Sequence, residues 1–284
     1  MPTTYAHWRF GCDCIETLPE NLKKIVLANR EIYDYGVHGP DIFFYDLTHP
    51  ALPRYGSKLH HQPAREFFEN CISVYNSNDN DKDLMMSYIL GFLSHYVLDS
   101  FCHGYINKKA AVSGISHNKV EAEYDGHLIT LDGRSIPMTD RAESLKPDRK
   151  NAEVMSRFFP FSAKELYRTN DRHHLIIYLL NCRSDFKRDL LWRLLKTFKL
   201  NNYADLILQK NGLPICKDSN LRIDKLKEYA LEFYPELVDN MIKAIEGKED
   251  LIYYFEHDFD PDGSEDIPVL SYEEELNYKP IINK

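Results

Sequence analysis

The stretch GFLSHYVLDSFCHGYI, from Gly91 to Ile106, constrains this chain more than any other. Its periodicity is helical. Ile89, Leu90, Phe92, Leu93, Tyr96, Val97, Phe101, Cys102, Tyr105 and Ile106 cover most of the circumference. A helix that is apolar nearly all round is buried. Yet His95, Asp99 and His103 recur at steps of four, about 400° each, and so form one slightly drifting polar stripe. A buried carboxylate without a partner costs several kcal/mol. Asp99 therefore needs a cation, strong hydrogen bonds or a proton.

Helix geometry narrows the choice. Residues four apart rise about 6 Å, so His95 and Asp99 can chelate one ion. His95 and His103 stand about 12 Å apart along the axis and cannot share an ion at metal–nitrogen distances of about 2 Å. With all three as ligands, at least two ions are needed, and Asp99 lies between them. His117 and Glu121 repeat the four-residue step on the next predicted helix, with Ser116 as its N-cap. Nine of the twelve histidines fall in the first 127 residues, including His7, His38, His49, His60 and His61, and Asp41 lies among them. Imidazole and carboxylate without a necessary thiolate suit a hydrolytic zinc site with open positions.

Helical signals dominate elsewhere. Thr17, Pro19 and Glu20 mark a start, and the pattern runs on to Gly36. Pro63 opens a helix through Phe67, Phe68, Cys71 and Val74. HLITLDG reads as a short hairpin arm, and the polar stretch around Gly133, Pro137 and Pro147 as a loop. LLWRLLKTF and LKEYALEFYPELVDNMIKAI are amphipathic. The expectation is an all-α bundle forming one domain over residues 1–284. The metal-site motifs lie in 1–127, a helical remainder in 150–255 and an acidic, irregular tail in 256–284.

A chain of 284 residues with 43% hydrophobic content is globular. Its net charge of −9 argues against a basic nucleic-acid surface and does not favour an anionic bilayer. MPTTYAHWRFGCDC has no basic segment followed by an apolar one, and no window approaches the roughly 18 apolar residues of a membrane span. The six cysteines read as reduced thiols, so the expected location is the cytoplasm. DFDPDG, Asp258 to Gly263, is similar to the start of a calcium loop. Val269 stands where the chelating glutamate belongs, and Pro261 and Pro268 interrupt it, so it is not read as a site.

HYVLDSFCH and HNKVE, preceded in order by AHWRFG, GVHGPDIFFY and GSKLHH, resemble the zinc-dependent phospholipases C and the related S1/P1-type nucleases. The resemblance implies a multi-helix all-α fold, two or three zinc ions and phosphoester hydrolysis. It implies Asp41, His60, His95 and Asp99 for one zinc, and His103, His117 and Glu121 for a second. His7 and Asp99 match a third, with Asp99 bridging; His60 aligns rather than His61. Asp41 also fits a general base, since a carboxylate can hold the attacking water.

This chain departs from the secreted members in two places. The step from Asp99 to His103 is shorter. Met1-Pro2 also stands only a few residues before His7, where secreted members complete the third site with their mature N-terminus. That site is expected to be completed otherwise, to hold metal weakly or to be empty. The expected function is a metal-dependent phosphoester hydrolase acting on a phospholipid or a soluble phosphodiester, with no stable nucleic-acid partner. The alternatives are an S1/P1-type nuclease, a nucleotide-directed phosphoesterase, and a catalytically inactive binding or structural protein on the same scaffold.

Overall fold

The computed structural model describes residues 4–46, 48–261 and 266–281. Among them there is no strand, and the fold is all-α. In chain order the helices are α1 (Thr4–Thr17), α2 (Glu20–Ala28), α3 (Arg30–Gly36), α4 (Ala51–His60), α5 (Ala64–Ser77), α6 (Lys82–Ser113), α7 (His117–Leu131), α8 (Arg149–Met155), α9 (Ala163–Leu180), α10 (Asp185–Thr197), α11 (Asn201–Asp205), α12 (Lys217–Ile245) and α13 (Tyr272–Glu275). A 3-10 turn at Gly39–Tyr45 carries Asp41.

Helix α6 is the axis. Its 32 residues span about 48 Å, and its apolar circumference is covered by α1, α2, α3, α5, α7, α8 and α12. The closest approach is to α3. A Cβ on Gly36 would lie 2.5 Å from the Tyr88 carbonyl oxygen, and one on Gly91 would lie 2.4 Å from that of Tyr33. Two glycines face to face let the backbones nearly touch. One core draws residues from Tyr5 in α1 to Phe259 beyond α12. Tyr234 in α12 donates its hydroxyl to the Leu90 carbonyl, and Tyr96 in α6 donates to that of Tyr254. The C-terminal residues thereby close over the helix that carries the polar stripe.

Several expectations are corrected. HLITLDG is not a hairpin arm: α7 continues through Leu131. Leu128 and Ile129 are buried on its inner face, and the Thr130 hydroxyl bonds back to the Gly126 carbonyl. The helix expected up to Gly36 is two helices, broken at Asn29, whose side chain donates to the Ile25 carbonyl and competes with the backbone. The tail is not wholly irregular, because Ser271 and Glu274 form a capping box that starts α13. Met1 and Pro2, and Asp262 and Gly263 of the calcium-like loop, lie outside the described residues. All six cysteines are free thiols. Among the described residues no helix is long and apolar enough to cross a membrane.

Candidate metal centre

Five elements bring the eight candidate ligands to the middle of α6. His95, Asp99 and His103 come from α6 itself, His7 from α1, Asp41 from the 3-10 turn, His60 from the last residue of α4, and His117 and Glu121 from the first turns of α7. Local chemistry fixes each approach. The α1 N-terminus, with unsatisfied amides, is held by Asp125 of α7, which accepts from the Tyr5 and Ala6 amides at 3.2 and 2.7 Å. Ser116 caps α7 by accepting from the Lys119 amide. Gly39 takes φ +48°, and a Cβ there would lie 2.3 Å from the His95 ring, so only glycine lets this turn pass beside that imidazole.

Asp99 is the hub. One carboxylate oxygen lies 2.9 Å from His95 Nε2 and 3.9 Å from His60 Nε2. The other lies 3.2 Å from His7 Nε2 and 3.4 Å from His103 Nε2. Asp41 stands opposite, 3.0 Å from His60 Nε2, 3.7 Å from His95 Nε2 and 4.0 Å from His7 Nε2. Glu121 Oε1 joins His117 Nε2 at 3.0 Å to His103 Nε2 at 3.4 Å. Two donor groups result: His7, Asp41, His95 and Asp99, and His103, His117 and Glu121. His60 adjoins the first through Asp41. The rings of His7 and His95 stack at 4.3 Å, so His7 sits inside the main group rather than apart from it.

These donors fit a metal. His60 and His95 donate Nδ1–H to the carbonyls of Gly56 and Val37, and His117 donates to Asn107 Oδ1. Each bond fixes the tautomer and leaves the Nε2 lone pair facing the cluster, the arrangement of metal-ligating histidines. Among the described residues, His60 Nε2, His95 Nε2, Asp41 Oδ2, Asp99 Oδ2 and Glu121 Oε2 are buried without a hydrogen-bond partner. So many orphaned donor atoms around one point are costly unless a cation is shared among them.

Titration behaviour agrees. Burial would raise Asp99, but His103, His95 and His7 outweigh it and hold the carboxyl well below its usual range. Asp41 is lowered in the same way by His95 and His60, and Glu121 by His117 and His103. Burial lowers His95, and it stays below its ordinary value despite Asp99. For His103 burial is overcome by Asp99 and Glu121, which push it up to about 9. His7 is raised against burial, chiefly by Asp99. Three ionised carboxylates therefore attract positive charge at a site almost closed to water.

The remaining histidines lie elsewhere. His61 is mostly exposed and 3.8 Å from Asp260. His49 faces Glu165, and His127 faces Asp224. His38 and His173 are buried edge to face, with both ring nitrogens of each unpaired among the described residues, and burial lowers both, His173 to about 3. Two residues near the candidate ligands were not among the expected site residues: Asn107 carries no sequence signal, and Asp260 lies in DFDPDG, which was not read as a site. Asn107, one turn beyond His103, accepts from His117 and donates to Asp260 Oδ1 at 2.6 Å. That oxygen also lies 3.8 Å from the unpaired Nδ1 of His103. Phe259 beside it is fully buried against the rings of His60 and His95.

A family model described as zinc-dependent phospholipase C matches residues 6–170. The span holds all eight candidate ligands and excludes Asp260 and α10. No curated protein and no solved structure gives a significant match.

Proposed function

The chain belongs to the zinc-dependent phospholipase C family, and from that premise we propose that it is a phosphoester hydrolase whose zinc ions are held by the eight residues above. Asp41, His60, His95 and Asp99 would hold one ion and His103, His117 and Glu121 another. His7 and Asp99 would supply a third position, with Asp99 bridging. The observation that carries this reading is the set of buried, unpartnered Nε2 and carboxylate atoms that converge on Asp99. Zinc bound there supplies Lewis-acid charge against a phosphoryl group and makes water a stronger nucleophile at neutral pH.

The chain's own residues do the rest. Asp41 stays ionised at neutral pH because His95 and His60 outweigh its burial. Its Oδ2, without a hydrogen-bond partner among the described residues, would take a proton from the attacking water. Phe259 and the apolar wall of α6 exclude bulk water, which strengthens every charge interaction in the site. His117 is the least buried of the eight, so substrate would approach along the α7 edge. Arg9 and Arg65 do not favour a nucleic acid, since Arg9 pairs with Asp13 and Asp132 and Arg65 with Glu256. A phospholipid or small phosphodiester is the better substrate class. Six free thiols suit the reducing cytoplasm.

Elemental analysis paired with turnover of a chromogenic phosphodiester tests the reading. Two or three zinc equivalents, with turnover abolished by chelator and restored by zinc, are expected. Absence of stoichiometric metal after zinc is offered at neutral pH would refute it and leave the binding-protein alternative.

A further inference from the structure

Helix α10 is thirteen residues long, and none of them is buried. Leu191 and Leu195 rest partly on the core. Phe186, Leu190 and Leu194, spaced by four, form an exposed stripe that also carries Arg193 and Thr197. Phe186 is 79% exposed and Phe198, just past the helix, 71%; Trp192 is exposed as well. Residues 183–199 contain six basic side chains, Arg183, Lys187, Arg188, Arg193, Lys196 and Lys199, against Asp185 and Asp189, in a chain of net charge −9. Among the described residues, Arg183, Arg193 and Lys199 make no ion pair. Lys187 turns to the Asn181 carbonyl and Arg188 to Asp185.

We propose that α10 and the turn after it dock the protein on an anionic lipid bilayer. Charge complementarity selects this occupant. A basic helix with Phe, Leu and Trp on its surface seats its apolar side chains at the acyl boundary and its cations among anionic head groups. The local charge reverses what the overall −9 suggests. Placement adds to the argument. Lys196 pairs with Asp205 at 3.1 Å, and Asp205 accepts from the Ser116 hydroxyl at 2.7 Å. Ser116 is the cap immediately before His117. The docking helix is thus tied to the open edge of the candidate metal centre, and a bilayer on α10 would present head groups there. That last step, though not the docking itself, rests on the hydrolase reading.

Sedimentation of the full chain with vesicles tests the proposal. It should pellet with phosphatidylglycerol–phosphatidylcholine vesicles, at least about tenfold more weakly with phosphatidylcholine alone, and less at high salt. Phe186→Ser and Arg193→Glu, checked for folding by circular dichroism, should each weaken binding by roughly tenfold or more. Vesicles should shift the tryptophan emission to the blue, and Trp192→Phe should remove that shift. Wild-type protein that ignores anionic vesicles, or variants that bind as well as wild type, would overturn the proposal. So would a dimer in light scattering that Phe186→Ser dissolves, because α10 would then face a second copy. Phe186→Ser should still hydrolyse a soluble diester. Vesicle binding by a wild type that hydrolyses nothing would sink the hydrolase reading alone.

Discussion

Helices α6 and α10 break the usual partition of residues in opposite directions. The first buries His95, Asp99 and His103 inside an apolar cylinder; the second leaves Phe186, Leu190 and Leu194 in water. Either choice costs free energy in an isolated chain. In α6 the cost falls on polar atoms left without partners, and the neighbours are arranged to aim more polar atoms at the same point. In α10 it falls on apolar area left uncovered, with unpaired cations set among it. The contrast teaches that a misplaced group is informative when its surroundings share its purpose. The α6 stripe stands out in the sequence itself, whereas α10 reads as an ordinary amphipathic segment until what faces it is known.

The largest expected effect is at the α6 hub. Asp99→Asn removes the charge that four imidazoles share, and should lower zinc content by at least one equivalent and phosphodiester turnover by on the order of 10³-fold, about 4 kcal/mol of transition-state stabilisation. Zinc retained at wild-type content would show that Asp99 is not the bridge. Next comes one substitution made in α6 and set against its counterpart in α10. Leu90 is fully buried, and Leu90→Ala should cost about 2–5 kcal/mol in urea unfolding. A loss below about 1 kcal/mol would mean that the α6 core relaxes freely.

Asp260→Asn tests whether the C-terminal residues belong to the site. Asp260 accepts from Asn107, which orients His117, and it stands near His103 Nδ1. Loss of such outer support typically costs 10–100-fold in metal affinity, so chelator competition should show weaker zinc without a change in the melting of the metal-free chain. Equal changes in both would assign Asp260 to the fold alone.

Asp34 sharpens the contrast among buried carboxylates. It pairs with Arg30, yet burial outweighs that pair and lifts its carboxyl to about 6, whereas Asp41 and Asp99 are held low by their histidines. A folded-state value above the unfolded one, about 3.8, means the native state binds the extra proton. Stability from this group is greatest below about pH 4 and is lost as pH rises through 6. From pH 4 to 6.5, Asp34→Asn should therefore gain about 1–3 kcal/mol relative to wild type. A constant difference between the two would show that Asp34 titrates normally.

The sequence made the candidate ligands on α6 and α7 visible because the period places them: a histidine or acid four residues from another must share its face. His7, Asp41 and His60 were reached only through the order of the motifs, since none of them has another candidate four residues away. Asn107 was invisible and Asp260 was noted only within DFDPDG, because the contact that joins them across 153 positions exists only in the fold. HLITLDG misled because Ile129 and Thr130 favour strands, and burial of Leu128 and Ile129 in the α7 interface overrode that preference. LLWRLLKTF showed amphipathicity but not which face would stay open. Leu191 and Leu195 found the core, and Leu190 and Leu194, one position earlier, did not.

That one-position difference sets the smallest expected effect. Leu190→Ala in α10 is chemically the same change as Leu90→Ala in α6, but Leu190 is 47% exposed. An exposed leucine loses little contact on truncation, and alanine has at least equal helix propensity, so unfolding free energy should move by no more than about 0.5 kcal/mol in either direction. Affinity for anionic vesicles should fall in the same variant, because there the leucine would be transferred out of water. A side chain that matters to binding and not to folding belongs to a surface kept for a partner. A loss of 2 kcal/mol or more would instead mean that α10 packs against the body of the protein in solution, and its uncovered stripe would no longer set it apart from α6.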